Sequence, residues 1–255
     1  MKKLLVLTSA LLVLGASVAS AQINLAWRNC IAVTAGGTSA QQNVTPLCDG
    51  SQNGIPFKGV LSFIAPANTA QFVGCDALLD IQTADPTLPD FWRLGVGDCR
   101  EGNFAYPAVL TGIGNTANCK NPYLGGNTGG GFSYDPGSTP ARSRVQLAIA
   151  RDTEFPLIAG AQYICGMFTL DTFKDVDLGD GECAGCQVPA CLVLNQIAIL
   201  QVAGQTPPSQ DINILTTAAT RQYVTWQGGA VPGGGCPGAT PTKSATWGSV
   251  KSLYR

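Results

Sequence analysis

Carboxylates and cysteines are the side chains that could do chemistry in this chain, because its 255 residues include no histidine. The missing imidazole excludes Ser-His-Asp and Cys-His catalysis and removes the commonest metal ligand and pH switch. Two carboxylates, however, are enough for glycoside hydrolysis. Five acidic residues cluster around the aromatic pair Phe91 and Trp92, which could stack on a sugar: Asp80, Asp85, Asp90, Asp98 and Glu101. A carbohydrate-active enzyme is therefore the alternative hypothesis, set against the usual role of acids beside prolines as turn-formers.

A second acidic group has the alternating oxygen ligands of a calcium loop. Its members are Asp175, Asp177, Asp180 and Glu182, and the interspersed glycines suit a tight turn. The segment lacks the full EF-hand pattern, so an acidic hairpin tip is the competing interpretation. We therefore expect no cofactor, with calcium in this loop as the alternative.

All ten cysteines lie downstream of an export signal. Lys2 and Lys3 form a short charged region, Leu4–Leu14 is apolar, and Ala19–Ala21 is an A-x-A cleavage site. The segment 1–21 is thus a predicted signal peptide of bacterial type, and the mature chain begins at Gln22. An even number of cysteines in an oxidising compartment predicts five disulfides in a protein that is secreted, periplasmic or at the cell surface.

Cysteine spacing suggests how the bonds are arranged. Cys30 with Cys48, and Cys99 with Cys119, each enclose about twenty residues, a loop that closes easily. Cys75 and Cys165 both lie in predicted strands and form the natural third pair. The last four cysteines allow three connectivities, and we favour the two bonds Cys183 with Cys191 and Cys186 with Cys236. An all-cysteine zinc site is the alternative for these four, although the compartment favours disulfides.

Composition narrows the range of partners. The whole chain has 15 Lys and Arg against 16 Asp and Glu, and loss of Lys2 and Lys3 leaves the mature protein slightly acidic. Nucleic acids and anionic membranes are therefore not expected to bind. Past the signal, no segment approaches the ~20 apolar residues that span a bilayer. A protein or a glycan at the cell surface is the expected partner.

Short apolar runs separated by turn residues predict an all-β fold. Alternation in the run from 71 to 83 places Cys75 and Leu79 on one face and Asp76 and Asp80 on the other, as in a half-buried strand. The 31 glycines and 16 prolines supply the turns. We therefore expect a disulfide-stapled antiparallel β-sandwich with long Gly/Pro-rich loops, comparable to immunoglobulin-like and cohesin-like sandwiches by analogy. Its predicted strands are Asn24–Trp27, Phe57–Ala65, Gln71–Thr83, Val145–Ala150, Gln162–Thr172, Cys191–Ala203, Ile212–Leu215 and Arg221–Trp226.

Three stretches are predicted to be irregular. Asp85–Asn121 contains several prolines, Tyr123–Pro140 is a glycine-rich loop, and Gly228–Pro241 is a linker. The domain boundaries that follow are 22–232 for the β-sandwich and 233–255 for a linker and a short tail. The tail has an apolar stripe that we expect to dock on a surface, formed by Trp247, Val250, Leu253 and Tyr254.

Two motifs resemble a group of uncharacterised exported bacterial proteins. The chain ends in a TWGxxKxLYR-like segment from Thr246 to Arg255, and a C-x-x-C-x-x-P-x-C segment from Cys183 to Cys191 precedes an apolar strand. The resemblance implies export and a shared β domain, and it assigns no functional residue. The leading hypothesis is a non-catalytic binding or structural role in the cell envelope or outside the cell.

Overall fold

The structure is a computed structural model that describes residues 22–30, 42–52, 54–107, 118–137, 139–175, 182–202, 211–215, 222–230 and 236. These residues form two sheets of short and long strands, and their one helical element is a 3-10 turn at Asp90–Trp92. The strands are β1 (Gln22–Trp27), β2 (Asn43–Val44), β3 (Phe57–Ile64), β4 (Thr69–Thr83), β5 (Phe104–Ala105), β6 (Thr128–Asp135), β7 (Arg142–Leu157), β8 (Gln162–Leu170), β9 (Ala190–Gln201), β10 (Ile212–Leu215) and β11 (Gln222–Trp226).

The smaller sheet has the strand order β1-β3-β8-β5, and the larger has β2-β11-β9-β4-β7-β6, with β10 also paired to β9. Every described pairing between these strands is antiparallel except that of β2 with β11. The expected all-β, disulfide-stapled architecture is confirmed. In the described part of the chain, no helix is long and apolar enough to cross a membrane.

Alternation along β4 explains how the larger sheet covers the core. Cys75 and Leu79 are fully buried, as are the core-facing residues Val145 and Leu147 of the neighbouring β7. On the opposite face, Asp76 lies in register between the small residues Ala148 and Ala198. The larger sheet therefore has one apolar face against the smaller sheet, and its other face has polar and small residues around Asp76.

Aromatic side chains fill one end of the interior. Trp27, Trp92 and Trp226 are all almost completely buried. Trp226 packs edge-to-face on Trp92, with ring centroids 5.4 Å apart, and the Trp226 indole nitrogen donates a hydrogen bond to the carbonyl of Cys186 at 2.8 Å. These three rings have a packing role, so they do not form an exposed platform for sugars.

The structure has five disulfides, and all ten cysteines are paired. Cys75 bonds to Cys165 and so joins β4 of one sheet to β8 of the other, as the mid-strand positions predicted. The other four predicted pairings are wrong. The observed bonds are Cys30–Cys119, Cys48–Cys186, Cys99–Cys183 and Cys191–Cys236.

The strand topology explains why Cys30 does not bond to Cys48 and Cys99 does not bond to Cys119, although each pair is close in sequence. Cys30 follows β1 and Cys48 follows β2, and these strands belong to different sheets. The residue after Cys99 contacts Asp171, just past the end of β8, whereas the residue after Cys119 bonds to Gln162 at the start of β8. Cys99 and Cys119 thus lie at opposite ends of one strand.

The last four cysteines are divided between the two faces of the larger sheet. Cys186 belongs to the main core, whereas Cys191 and Cys236 form a separate small cluster with Val193. A bond between Cys186 and Cys236 would have to cross the sheet. Because all four sulfurs are in disulfides, the alternative zinc site is not formed.

Two predicted loops differ in the structure. Thr128–Asp135 lies inside the predicted glycine-rich loop and is the regular strand β6, because the long strand β7 supplies a hydrogen-bonding partner along its whole length. Asp85–Asn121 contains the 3-10 turn and the two-residue strand β5. The docking prediction for Trp247, Val250, Leu253 and Tyr254 lies outside the described residues, as does most of the linker.

Candidate binding edge

Strand β6 forms one edge of the larger sheet, beside β7. Its eight residues, TGGGFSYD, pair with β7 in a continuous register without a bulge. Five of the eight are exposed to solvent. The strand is therefore long, regular and hydrogen-bonded on one side.

The hydrogen bond that precedes β6 determines which of its backbone groups point outward. The amide of Asp152 donates to the carbonyl of Asn127 at 3.0 Å, and these two residues continue the β6–β7 register. Directly opposed residues alternate between bonded and non-bonded pairs in an antiparallel ladder. The odd-numbered residues of β6 therefore point their N–H and C=O groups to β7. The outward backbone groups belong to Thr128, Gly130, Phe132 and Tyr134.

This edge lacks the devices that usually protect an exposed strand. Natural edge strands carry lysines, prolines or bulges, or are very short. β6 contains no lysine, arginine or proline, and its one charged residue, Asp135, is at its end. The opposite side of the same sheet ends in the two-residue strand β2 and the four-residue strand β10. Among the described strands, β6 thus presents the edge best suited to accept another strand.

Contacts from the inner face hold β6 in place. The Phe132 ring packs edge-to-face on Phe104, with centroids 4.9 Å apart, and the Tyr134 hydroxyl donates to the carbonyl of Trp92 at 3.1 Å. Burial raises the pKa of Tyr134, so this hydroxyl stays a neutral donor at physiological pH. The edge is therefore anchored to the core before any partner arrives, and such preorganisation lowers the entropic cost of binding.

Three consecutive glycines, 129 to 131, indicate a loop, so the sequence did not predict this edge. A strand signal was nevertheless present. Thr128, Phe132 and Tyr134 occupy alternate positions, and Pro136 with Gly137 forms a turn that ends the run. Glycine lowers β propensity, but pairing with a neighbouring strand can override that local preference.

The predicted acidic site residues have separate structural roles. Asp80 is fully buried on the outer side of β4, where it accepts hydrogen bonds from Arg144 at 2.7 and 3.1 Å, with Arg142 at 3.7 Å. These contacts raise the pKa of Arg144, chiefly through its hydrogen bond to Asp80. Asp80 therefore ties β4 to β7 across the sheet.

The other four acids of that group lie after β4. Asp90 and Asp98 flank Arg93, at 3.2 and 2.8 Å from its guanidinium nitrogens. Glu101 accepts a hydrogen bond from the amide of Gly97 at 2.9 Å, and Asp85 is exposed. These are turn and surface contacts.

The aromatic pair beside these acids is buried. Phe91 and Trp92 have no solvent exposure, and the guanidinium carbon of Arg100 lies 3.8 Å from the centroid of the Phe91 ring. Stacking of either ring on a sugar, which the sequence suggested, is therefore wrong. The rings are covered because this segment folds onto Trp226.

The calcium candidates are only partly described. Asp175 is 3% exposed, and neither of its carboxylate oxygens has a hydrogen-bond partner in the described structure. Glu182 is exposed, and Asp177 and Asp180 lie outside the described residues. Calcium in this loop stays a prediction.

Asp175 lies near the Cys48–Cys186 disulfide and the Arg100 guanidinium. The sulfurs of Cys48 and Cys186 lie within 4.8 Å of its carboxylate, but they are bonded to each other and cannot act as thiolate ligands. Burial lowers the pKa of Arg100 to about 10, a shift that the charges of Asp171 and Asp175 oppose. Arg100 also donates hydrogen bonds to the backbone carbonyl and carboxylate of Asp171 at 2.6 and 2.9 Å.

Comparison of the chain with protein-family models, curated proteins and solved structures finds no match.

Proposed function

We propose that this protein is an exported, non-catalytic β-sandwich that acts in the cell envelope or outside the cell by binding an extended strand at the edge of β6. The observation that carries the proposal is the eight-residue edge, which is regular, exposed and without protective charge or proline. Outward N–H and C=O groups supply the affinity in strand addition, and alternate side chains supply the specificity.

The compartment supports the same role. Five disulfides require an oxidising environment, so the folded chain is not a cytoplasmic protein. The predicted signal peptide makes secretion, the periplasm or the cell surface the proposed destination. A disulfide-clamped scaffold with a preformed edge suits binding in such a compartment, because little order has to be gained when the partner docks.

The carbohydrate-active alternative gains no support from the described residues. Asp80, Asp90 and Asp98 each contact an arginine, and Glu101 accepts a hydrogen bond from a turn amide. Phe91 and Trp92 are covered. A binding role in which β6 takes a strand from a protein partner is the function that the geometry favours.

A matched pair of substitutions at Phe132 tests the proposal. Phe132→Ala and Phe132→Pro both remove the ring that packs on Phe104, but only Phe132→Pro removes the outward N–H. Proline is tolerated on an edge strand where the N–H faces solvent, so both variants should fold.

The measurement is the fraction of each variant that stays with the cell envelope or with an extracellular assembly in the organism that encodes the chain. We expect wild type and Phe132→Ala to co-fractionate with their partner in the envelope or in an extracellular assembly, and Phe132→Pro to be released as free protein. Equal distribution of the two variants, with both folded by circular dichroism, would show that the β6 edge does not hold the protein to a partner in that fraction.

A further inference from the structure

We infer that the partner at the β6 edge is a second copy of this chain, with the two β6 strands antiparallel and related by a two-fold axis through Gly131. This inference rests on the proposed binding role of the edge and names its occupant. Two such strands would join the larger sheets of two molecules into one continuous sheet.

The first argument is the register. Two residues that face each other in an antiparallel pair either exchange backbone hydrogen bonds or form none. A residue with outward N–H and C=O groups must therefore face another such residue. With the axis at Gly131, Thr128 lies opposite Tyr134 of the second copy, and Gly130 lies opposite Phe132. All four outward residues of each strand are then paired, which gives about eight backbone hydrogen bonds.

Neighbouring registers satisfy fewer groups. A shift that moves the axis to Phe132 would place Thr128 opposite Pro136, which has no N–H to donate. A shift the other way would place Tyr134 opposite Gly126, which lies before the start of β6. The proline that ends β6 and the position of its four outward residues thus favour one register.

The second argument is side-chain fit. In this register the bulky residue of each inner-face pair meets a smaller one: Phe132 meets Gly130, and Tyr134 meets Thr128. Phe132 is 37% exposed in the single chain, and a glycine opposite it leaves room for the ring to be covered. Aromatic side chains across from edge glycines are a known way to stabilise such strands.

The outer face is equally open. Gly131 would face Gly131 of the second copy, and Gly129 would face Ser133. A Cβ built at Gly129 or Gly131 meets no other atom within 4 Å, so no side chain of the described residues occupies that space. No like charges oppose each other anywhere along the paired strands, because Asp135 lies beyond the four pairs.

The symmetry also limits the size of the assembly. A two-fold pairing of β6 with itself uses the edge in both molecules. Among the described strands, the opposite side of the larger sheet ends only in the short strands β2 and β10. The interaction is therefore closed, and the expected product is a dimer rather than a filament.

Size-exclusion chromatography with light scattering of the mature chain is the first test. We expect wild type to give twice the mass of one chain at high concentration. Phe132→Ala should still form this dimer but with weaker affinity, because it keeps the outward N–H and loses the covered ring, and Phe132→Pro should give the monomer mass at every concentration. A monomeric wild type up to the solubility limit would overturn the inference, as would a Phe132→Pro variant that remains dimeric.

An engineered disulfide tests the register. In the non-bonded Gly131 pair the two Cα atoms would be about 4.5 Å apart, within the range that a disulfide can bridge. Gly131→Cys should therefore cross-link two chains on a non-reducing gel. The matched control is Ser133→Cys, whose copies would be roughly 13 Å apart along the strands and should not cross-link. Cross-linking through Ser133→Cys and not Gly131→Cys would contradict the register.

The two proposals can fail separately. If Phe132→Pro is released from the envelope while purified wild type is a monomer, the edge binds another protein and self-pairing is overturned. If purified wild type is a dimer but Phe132→Pro and Phe132→Ala distribute equally in cells, self-pairing stands and the edge has no part in retention.

Discussion

Asp76 provides a quantitative test of the electrostatics on the outer face of the larger sheet. Burial, with a smaller contribution from the charge of Asp211, raises the pKa of Asp76 from 3.8 to about 6. The folded state therefore holds the proton more tightly than the unfolded chain does. The protonated Asp76 carboxyl makes its full contribution to the free energy of unfolding below pH 3.8. This contribution is lost as the pH rises through about 6, where the carboxyl ionises in the folded protein.

The magnitude follows from the difference between the two pKa values. That difference corresponds to about 3 kcal/mol as an upper limit. Asp76 is partly open to water, which reduces the effect, so we expect about 1–2 kcal/mol. Asp76→Asn, which cannot ionise, should be more stable than wild type by that amount at pH 7 and about equally stable at pH 3.5.

Guanidinium unfolding midpoints at pH 3.5 and pH 7 measure this effect. Asp152→Asn is a matched control of opposite sign, because hydrogen bonds from Asn127 lower the pKa of the exposed Asp152. That variant should lose stability at pH 7, and the loss should shrink at pH 3.5. An Asp76→Asn protein that is no more stable than wild type at pH 7 would refute the reasoning.

Three further predictions concern the interior. Cys75 and Cys165 are 90 residues apart, and the other disulfides shorten the loop that their bond closes. Replacing both with alanine should lower the free energy of unfolding by about 4 kcal/mol in guanidinium titrations. An unchanged midpoint would contradict this. Arg100→Ala should cost about 3–5 kcal/mol in the same assay, because it leaves the buried Asp175 and the partly exposed Asp171 without their cation; a loss below about 1 kcal/mol would count against that role. If calcium binds opposite Asp175, calcium should raise the melting temperature of wild type and leave Asp175→Asn unchanged; melting of wild type that does not respond to calcium or EGTA would remove the calcium prediction.

The strands with strong alternation could be predicted from the sequence. The predicted strand Gln71–Thr83 corresponds to β4, and Gln162–Thr172 to β8. Their apolar and polar residues alternate with a period of two, and a sheet with one buried face requires that pattern. The Cys75–Cys165 bond followed because each cysteine is in the middle of one of these strands.

Other features depend on contacts between distant parts of the chain and could not be read locally. Cys99 bonds to Cys183 rather than to Cys119 because β8 separates the two sites by its full length. Phe91 is a core residue because its segment folds onto Trp226. β6 is a strand because β7 extends along it, and no local signal in three glycines indicates that partner.

Amide hydrogen exchange along β6 tests the central claim, that the outward side of this strand binds another strand. The inward amides of Gly129, Gly131 and Ser133 should be protected in every folded form, because they bond to β7. The outward amides of Gly130 and Phe132 should be protected in the concentrated, associated protein and exchange rapidly after dilution to the monomer. Rapid exchange of these two outward amides in the associated protein would contradict the claim.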